Sequence, residues 1–319
     1  MIDFRYHLVS IVAIFLALAL GIVLGSTTLS QSVTKGLRDE ARSAAKRNTE
    51  LRNTQTELNN RIKGEDQFSG VLGAQMVAER LKGQSVVFVE TPGASNDSIE
   101  QLIKLVEAPG AGATVTGRVT VQKKFLDDNQ ESTVDELASQ LKPGDLTLPS
   151  GSAYARAGAV LASAVVTKDA AKIGREDASG DAILNGFKQA GYVTTSGKPG
   201  GHATLAVVIA PSTAYSYEGS DTDNKALISL ATAFDDASRG TVLGGPVDAA
   251  DEGGLIRALR DSDDEKKVSG IDTMDTPSGQ VVTILALQNE LSQKSGQYGL
   301  GSGVNGYLPS PPPPAGKNG

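Results

Sequence analysis

Residues 85–121 read SVVFVETPGASNDSIEQLIKLVEAPGAGATVTGRVTV, and this stretch decides the fold. It opens with SVVFV, a continuous apolar run of the kind that suits a strand covered on both faces. Asp97 and Glu100 then form an Asp-x-x-Glu helix-start signature, and Ile99, Leu102, Ile103 and Val106 recur along one helical face. Residues 114–121 alternate and read as a second strand, so the whole stretch is a βαβ unit.

The same alternation continues toward the C-terminus. Helices are predicted over 132–141, 154–166, 183–190, 224–237, 255–259 and 280–291, a buried-type strand over 204–210 and a short strand over 241–243. Strands alternating with helices predict an α/β class with a mostly parallel, Rossmann-like sheet and not a β-barrel. Residues 65–300 read as one globular domain. At its start, residues 67–83 read as a short helix with Val71, Leu72, Met76, Val77 and Leu81 on one side, Met76 filling core.

Working toward the N-terminus, residues 8–24 read LVSIVAIFLALALGIVL, and no charge lies between Arg5 and Lys35. With its flanks the run reaches the lower edge of the length needed to cross a bilayer. Two readings compete, an uncleaved anchor over 1–29 and a cleaved signal peptide. The run is long for a signal peptide and the nearest cleavage-like candidate, Val23-Leu24-Gly25, is poor, which favours the anchor and a lipid bilayer as partner. A single-pass cell-membrane protein is expected, with a cytoplasmic N-terminus and an extracytoplasmic globular domain.

Residues 30–64 form a polar helix with a heptad seam: Leu37, Ala41, Ala44, Asn48, Leu51, Gln55, Leu58 and Ile62. Leu at d with Asn at a is a pattern of parallel two-stranded coils, so a coiled-coil stalk that self-associates or pairs with a partner helix is expected. An amphipathic helix folded back on its own domain is the other reading of these residues. At about 1.5 Å per residue the stalk would extend about 50 Å. The helix is expected to end at Gly64. At the far end, residues 301–319 turn Gly-rich and then Pro-rich, LPSPPPPAGKNG, a composition that predicts disorder or polyproline II.

Composition narrows the chemistry. The 319 residues include no Cys, no Trp, two His and three Met. There is thus no thiolate zinc site, no Cys nucleophile, no all-protein His₃ site and no methionine-rich copper(I) ladder. Residues 1–83 carry 11 Lys/Arg against 8 Asp/Glu, and residues 84–319 carry 19 against 29. An acidic globular part argues against a nucleic-acid partner.

No enzyme or cofactor signature emerges. The loop after residue 89 matches neither G-x-G-x-x-G nor a phosphate-binding P-loop, and no G-x-S-x-G elbow occurs. Ser43 and Lys46 form a Ser-x-x-Lys on the stalk, where no pocket excludes water. His202 sits in Gly-Lys-Pro-Gly-Gly-His, read as a flexible loop unsuited to a catalytic base. Asp221-Thr-Asp223-Asn224 begins like a calcium loop but lacks the Gly and Glu that complete one, and reads as helix N-capping. The acidic run Asp261, Asp263, Asp264 and Glu265 reads as a solvated loop.

The opening Met1-Ile2-Asp3-Phe4-Arg5-Tyr6-His7-Leu8-Val9-Ser10, running into a Leu/Ala-rich span, resembles the start of the actinobacterial MctB copper-transport family. Ser269-Gly270-Ile271-Asp272-Thr273-Met274-Asp275-Thr276-Pro277-Ser278-Gly279, followed by Gly296-Gln297-Tyr298-Gly299, is similar to that family's other recurring stretch. The family-motif residues are thus Asp3, Phe4, Arg5, His7, Asp272, Asp275 and Gly279. The resemblance implies a cell-envelope protein with a role in copper efflux or homeostasis, as a channel or its accessory, with copper ions as partner and an outer-membrane location as a further option. Related envelope proteins of this layout imply an alternative: a bitopic coiled-coil scaffold that regulates a partner such as a cell-wall hydrolase.

Overall fold

The computed structural model describes residues 4–107, 110–217 and 219–310, with side chains described except at 26–34, 97 and 98. Asp3, the side chain of Asp97 and residues 311–319 of the Pro-rich tail lie outside the described residues. The chain divides into two compact units, one through Glu65 and one from Asp66.

Helix α1 spans Phe4–Met76. Its first part, Phe4–Gly25, is 22 residues long and apolar enough to cross a membrane by length and composition. The helix does not stop at Gly64 as the sequence predicts. A single Gly inside a helix costs only about 1 kcal/mol. No Pro follows here, and Arg61 pairs with Glu65 across the position at 3.1 Å. Met76 is not core filler: it is 51% exposed and Val71 is 73% exposed, whereas Val77 and Leu81 are fully buried. The chain leaves the helix after Met76, so Val77 and Leu81 reach the core from a turn rather than along the helical face.

The second unit is built on β1 (Ser85–Glu90), α2 (Asn96–Val106), β2 (Thr114–Val121), α3 (Glu131–Leu141), α4 (Ala153–Val165), α5 (Ala178–Gln189), β3 (Val193–Gly197), β4 (Leu205–Ile209), α6 (Ser220–Ala237), β5 (Thr241–Gly244), α7 (Leu255–Arg260), β6 (Ser269–Ile271), α8 (Pro277–Glu290) and β7 (Gln297–Tyr298). The strands form one open sheet in the order β3-β2-β1-β4-β5-β6-β7. All neighbours are parallel except β2 and β3. The predicted βαβ unit and mostly parallel α/β class are therefore present, and the sheet is no barrel.

The apolar runs have a direct cause. Val87 and Val89 of β1 enter one core, with Ala206 and Val208 of β4. Val86 and Phe88 enter the other, with Leu205, Val207 and Ile209. Side chains alternate across a strand, so a strand covered on both faces is apolar at successive positions, here Val86 to Val89, while its buried polar ends find partners, Ser85 with Thr204 and Glu90 with Thr120. β2 carries one extra residue where the register slips between Val86 and Val87 of β1. Gly117 (φ +158°) sits at this bulge, where a Cβ would strike the Ser196 carbonyl of β3. α4 is Ala-rich because it lies close against α6: a Cβ at Gly158 would come within 3.2 Å of the Leu230 backbone.

Candidate functional site

In an open α/β sheet, ligands bind beyond the carboxyl ends of the strands, at the point where strand order reverses. Here that point lies between β1 and β4, since the chain moves from β1 outward to β2 and later returns to β4 on the other side. The two loops that flank it are tied together. Thr91 donates both its N–H (3.1 Å) and its hydroxyl (2.7 Å) to the Ile209 carbonyl. Ser212 donates its N–H (2.9 Å) and hydroxyl (3.1 Å) to the Gly93 carbonyl, and the Tyr215 hydroxyl donates to the Pro92 carbonyl at 2.8 Å.

What remains is a crevice of about 270 Å³, lined by Ser95, Ala210, Ser212, Gly245, Met274 and Asp275 among others. Ser95 is the N-cap of α2, and its hydroxyl makes no capping bond. Gly244 and Gly245 let the β5 loop lie directly against Met274 and Ala210. Burial pushes the Asp275 carboxyl up, and the carboxylates of Asp248, Asp272 and Asp66 push it further.

The second motif, read as one linear stretch, proves to be a folded lock beside this crevice. Asp272 is fully buried and accepts from Arg260 Nη1 at 2.8 Å, from the Leu300 N–H at 2.8 Å and from the Gly301 N–H at 2.8 Å. Arg260 also donates to the carbonyls of Tyr298 at 3.0 Å and Ser302 at 3.2 Å. A Cβ at Gly299 (φ +129°) would overlap the Asp272 carboxylate, so glycine is required there for the backbone to wrap it. A Cβ at Gly279 would overlap the Thr273 carbonyl, which seats the first turn of α8 on the loop that carries Asp272 and Asp275. Thr276 caps that turn by accepting from the Gly279 N–H at 3.1 Å.

The remaining predicted residues lie elsewhere. Phe4, Arg5 and His7 stand exposed in the first turns of α1. The seam residues Leu37, Ala41, Ala44, Asn48, Leu51, Gln55, Leu58 and Ile62 are all exposed, with Leu37 at 65% and Leu51 at 70%. His202 departs from its predicted flexible loop. It is 1% exposed, holds φ +44°, and places Nδ1 2.7 Å from the Arg175 carbonyl and Nε2 3.2 Å from the Ser163 carbonyl. Burial between two backbone acceptors makes it a structural residue of the core.

Asp221 and Asp223 are not the N-cap of α6. That position belongs to Gly219, while both acids sit in the first turn, where the helix dipole favours negative charge. Asp223 accepts from the Tyr217 hydroxyl. Asp261 and Asp263 make exposed ion pairs with Arg257 and Lys266. Among the described residues no group of three or more His, Cys, Asp and Glu is arranged to hold a metal ion.

Sequence reasoning missed the Arg260–Asp272 pair. A signal existed: Arg260 follows Ile256 by four residues and so lies on the apolar stripe of α7, where a charge must find a partner.

Comparison with known proteins completes the site's context. A family model described as "Copper transport outer membrane protein, MctB" matches residues 1–309. Copper transporter MctB of Mycobacterium tuberculosis is 29% identical over 315 residues, covering 95% of this chain and 98% of the relative. Copper transporter MctB of Mycobacterium leprae is 30% identical over 319 residues, with the same shares.

Proposed function

The chain belongs to the MctB family, and from that premise we propose that it serves copper transport or homeostasis at a bacterial membrane. The match over residues 1–309 carries this reading, since it takes in the apolar helix, the stalk and the whole α/β unit. The relatives carry the names of transporters rather than enzymes. Copper is then the cargo.

Within that role the chain acts as an anchored accessory of copper export rather than as a pore built from its own sheet. The sheet is open and covered on both faces by packed side chains, so its strands enclose no lumen. Among the described residues one segment, Phe4–Gly25, is long and apolar enough to serve as the membrane element. Arg5 directly flanks one end of the apolar run, whereas Lys35, Arg38 and Arg42 begin ten residues past the other, behind a Ser/Thr spacer; on this reading the Arg5 flank is cytoplasmic and the globular unit outside. The test is a deletion strain challenged with copper, with cell-associated copper measured and the full chain restored in trans. Copper hypersensitivity that the chain rescues is the expected outcome; unchanged tolerance and unchanged cellular copper would refute the reading. A reporter active only outside the cell, fused after Gly319, tests the orientation.

The exposed seam on α1 favours a second reading, a bitopic scaffold that pairs through its stalk with a second copy or a partner helix and regulates an envelope partner. It predicts a cell-separation or wall defect on deletion. Normal copper tolerance alongside chained cells would select this reading over the first.

A further inference from the structure

The opposite, amino-terminal rim of the sheet carries a second cavity, of about 650 Å³, built from the segments that lead into β5, β6 and β7. Its floor is Glu290, the last residue of α8, which is 3% exposed. Glu290 Oε1 accepts from the Ser269 N–H at 3.2 Å and from the Ser269 hydroxyl. Ser269 Oγ in turn accepts from the Gly296 N–H at 3.0 Å, so its own proton is committed to Glu290. No described residue engages Oε2. Beside it, Asp235 of α6 accepts from the Thr241 N–H at 3.0 Å. Four cations ring the opening: Lys168 after α4, Arg239 after α6, and Lys266 and Lys267 before β6.

We propose that this cavity binds a small anion bearing carboxylate or phosphate oxygens, with Lys168, Arg239 and Lys267 matching its charge and the Glu290 carboxyl donating a hydrogen bond from the floor. Two independent features converge on that chemistry. The cations come from separate segments and surround one opening, a geometry that concentrates anions. The floor group is a carboxyl with Oε1 taken up by Ser269 and 3% exposure, surroundings that disfavour its charged form; protonated, it can donate where a carboxylate would repel. Burial pushes Glu290 up to about 8; the Ser269 bonds oppose this and the Asp235 charge adds to it. The charged and titratable groups around it are Asp235 and Asp236 on α6, the four ring cations, and Tyr298 on β7; of the cations, Lys267 pairs with Asp236 at 3.4 Å and Lys266 with Asp263 at 3.6 Å, both at exposed positions where an anion can compete. This inference is independent of the copper reading, because no part of it involves a metal.

The experiment is titration calorimetry of the full chain in detergent micelles with inorganic phosphate, citrate and, as a neutral control, glucose. Phosphate and citrate separate the two oxyanion sources. Binding of at least one anion is expected at about pH 7, weakening about tenfold by about pH 9 as Glu290 loses its proton. Glu290→Gln keeps a neutral donor, so its affinity should stay flat across that range. Lys168→Ala with Lys267→Ala, both exposed, should weaken binding about tenfold or more. The proposal is overturned if neither anion binds, if the lysine variant binds like the parent, or if Glu290→Gln declines with pH as the parent does. Should Glu290→Gln fail to fold, the parent's pH dependence and the lysine variant still decide.

Discussion

Replacing Asp272 with Ala removes the acceptor for three donors in a fully buried site: Arg260 Nη1 and the N–H groups of Leu300 and Gly301. Arg260 is 7% exposed and would keep its charge with only two backbone carbonyls beside it. Breaking one side of a buried ion pair costs about 3–5 kcal/mol, because the surviving charge is desolvated and unpaired. For a folded unit of this size that corresponds to a fall in Tm of roughly 6–20 °C. The loss should also have a place. Hydrogen exchange at Leu300 and Gly301 should rise far more than exchange in β1 or β4, since these amides bond to nothing else across the lock. Replacing both partners, Arg260→Met with Asp272→Leu, should recover part of the loss and leave those two amides unprotected. The assay is thermal unfolding of the full chain in detergent, together with residue-resolved exchange. An Asp272→Ala variant that loses less than about 1 kcal/mol, with exchange at Leu300 and Gly301 unchanged, would refute the lock.

Three further outcomes are expected. Gly279→Ala should destabilise the chain by at least about 2 kcal/mol in the same unfolding assay, because the added Cβ meets the fixed Thr273 carbonyl rather than a movable side chain. Glu290 is held at about 8 when folded, against 4.5 for the free group, so the folded state binds the extra proton. Its contribution to stability is therefore complete below 4.5 and is lost as pH rises through about 8, and Glu290→Gln should flatten that decline in a pH series of Tm values. Leu51→Asp with Leu58→Asp should shift a stalk-mediated dimer to monomer in analytical ultracentrifugation while leaving the unfolding of the α/β unit unchanged.

Much of the architecture was legible because burial writes itself into composition. SVVFV and TLAVVIA are apolar after their first residue since both faces of β1 and β4 are covered, and the helices of the sheet carry apolar stripes for the same reason. The elements that escaped had no such imprint. β3 (Val193–Gly197) is an antiparallel edge strand with exposed Thr194 and Ser196, so its polar sequence resembles a loop. β6 and β7 have three and two residues, too few for any periodicity.

The sequence by itself determined the class of fold, the apolar N-terminal helix, the heptad pattern and the family motifs, since each depends on residues near one another in the chain. Only the tertiary structure decided what the motif residues do. Asp272 and Gly299 lie far apart in sequence, yet one carboxylate and one missing side chain make the same contact. It also decided that Asp275 faces the switch-point crevice, that His202 is buried, and that Glu290 and four cations from separate segments share one cavity. The physical reason is the same in each case. A charge is interpreted by its dielectric surroundings and its partners, and those are assembled across the sheet rather than along the chain.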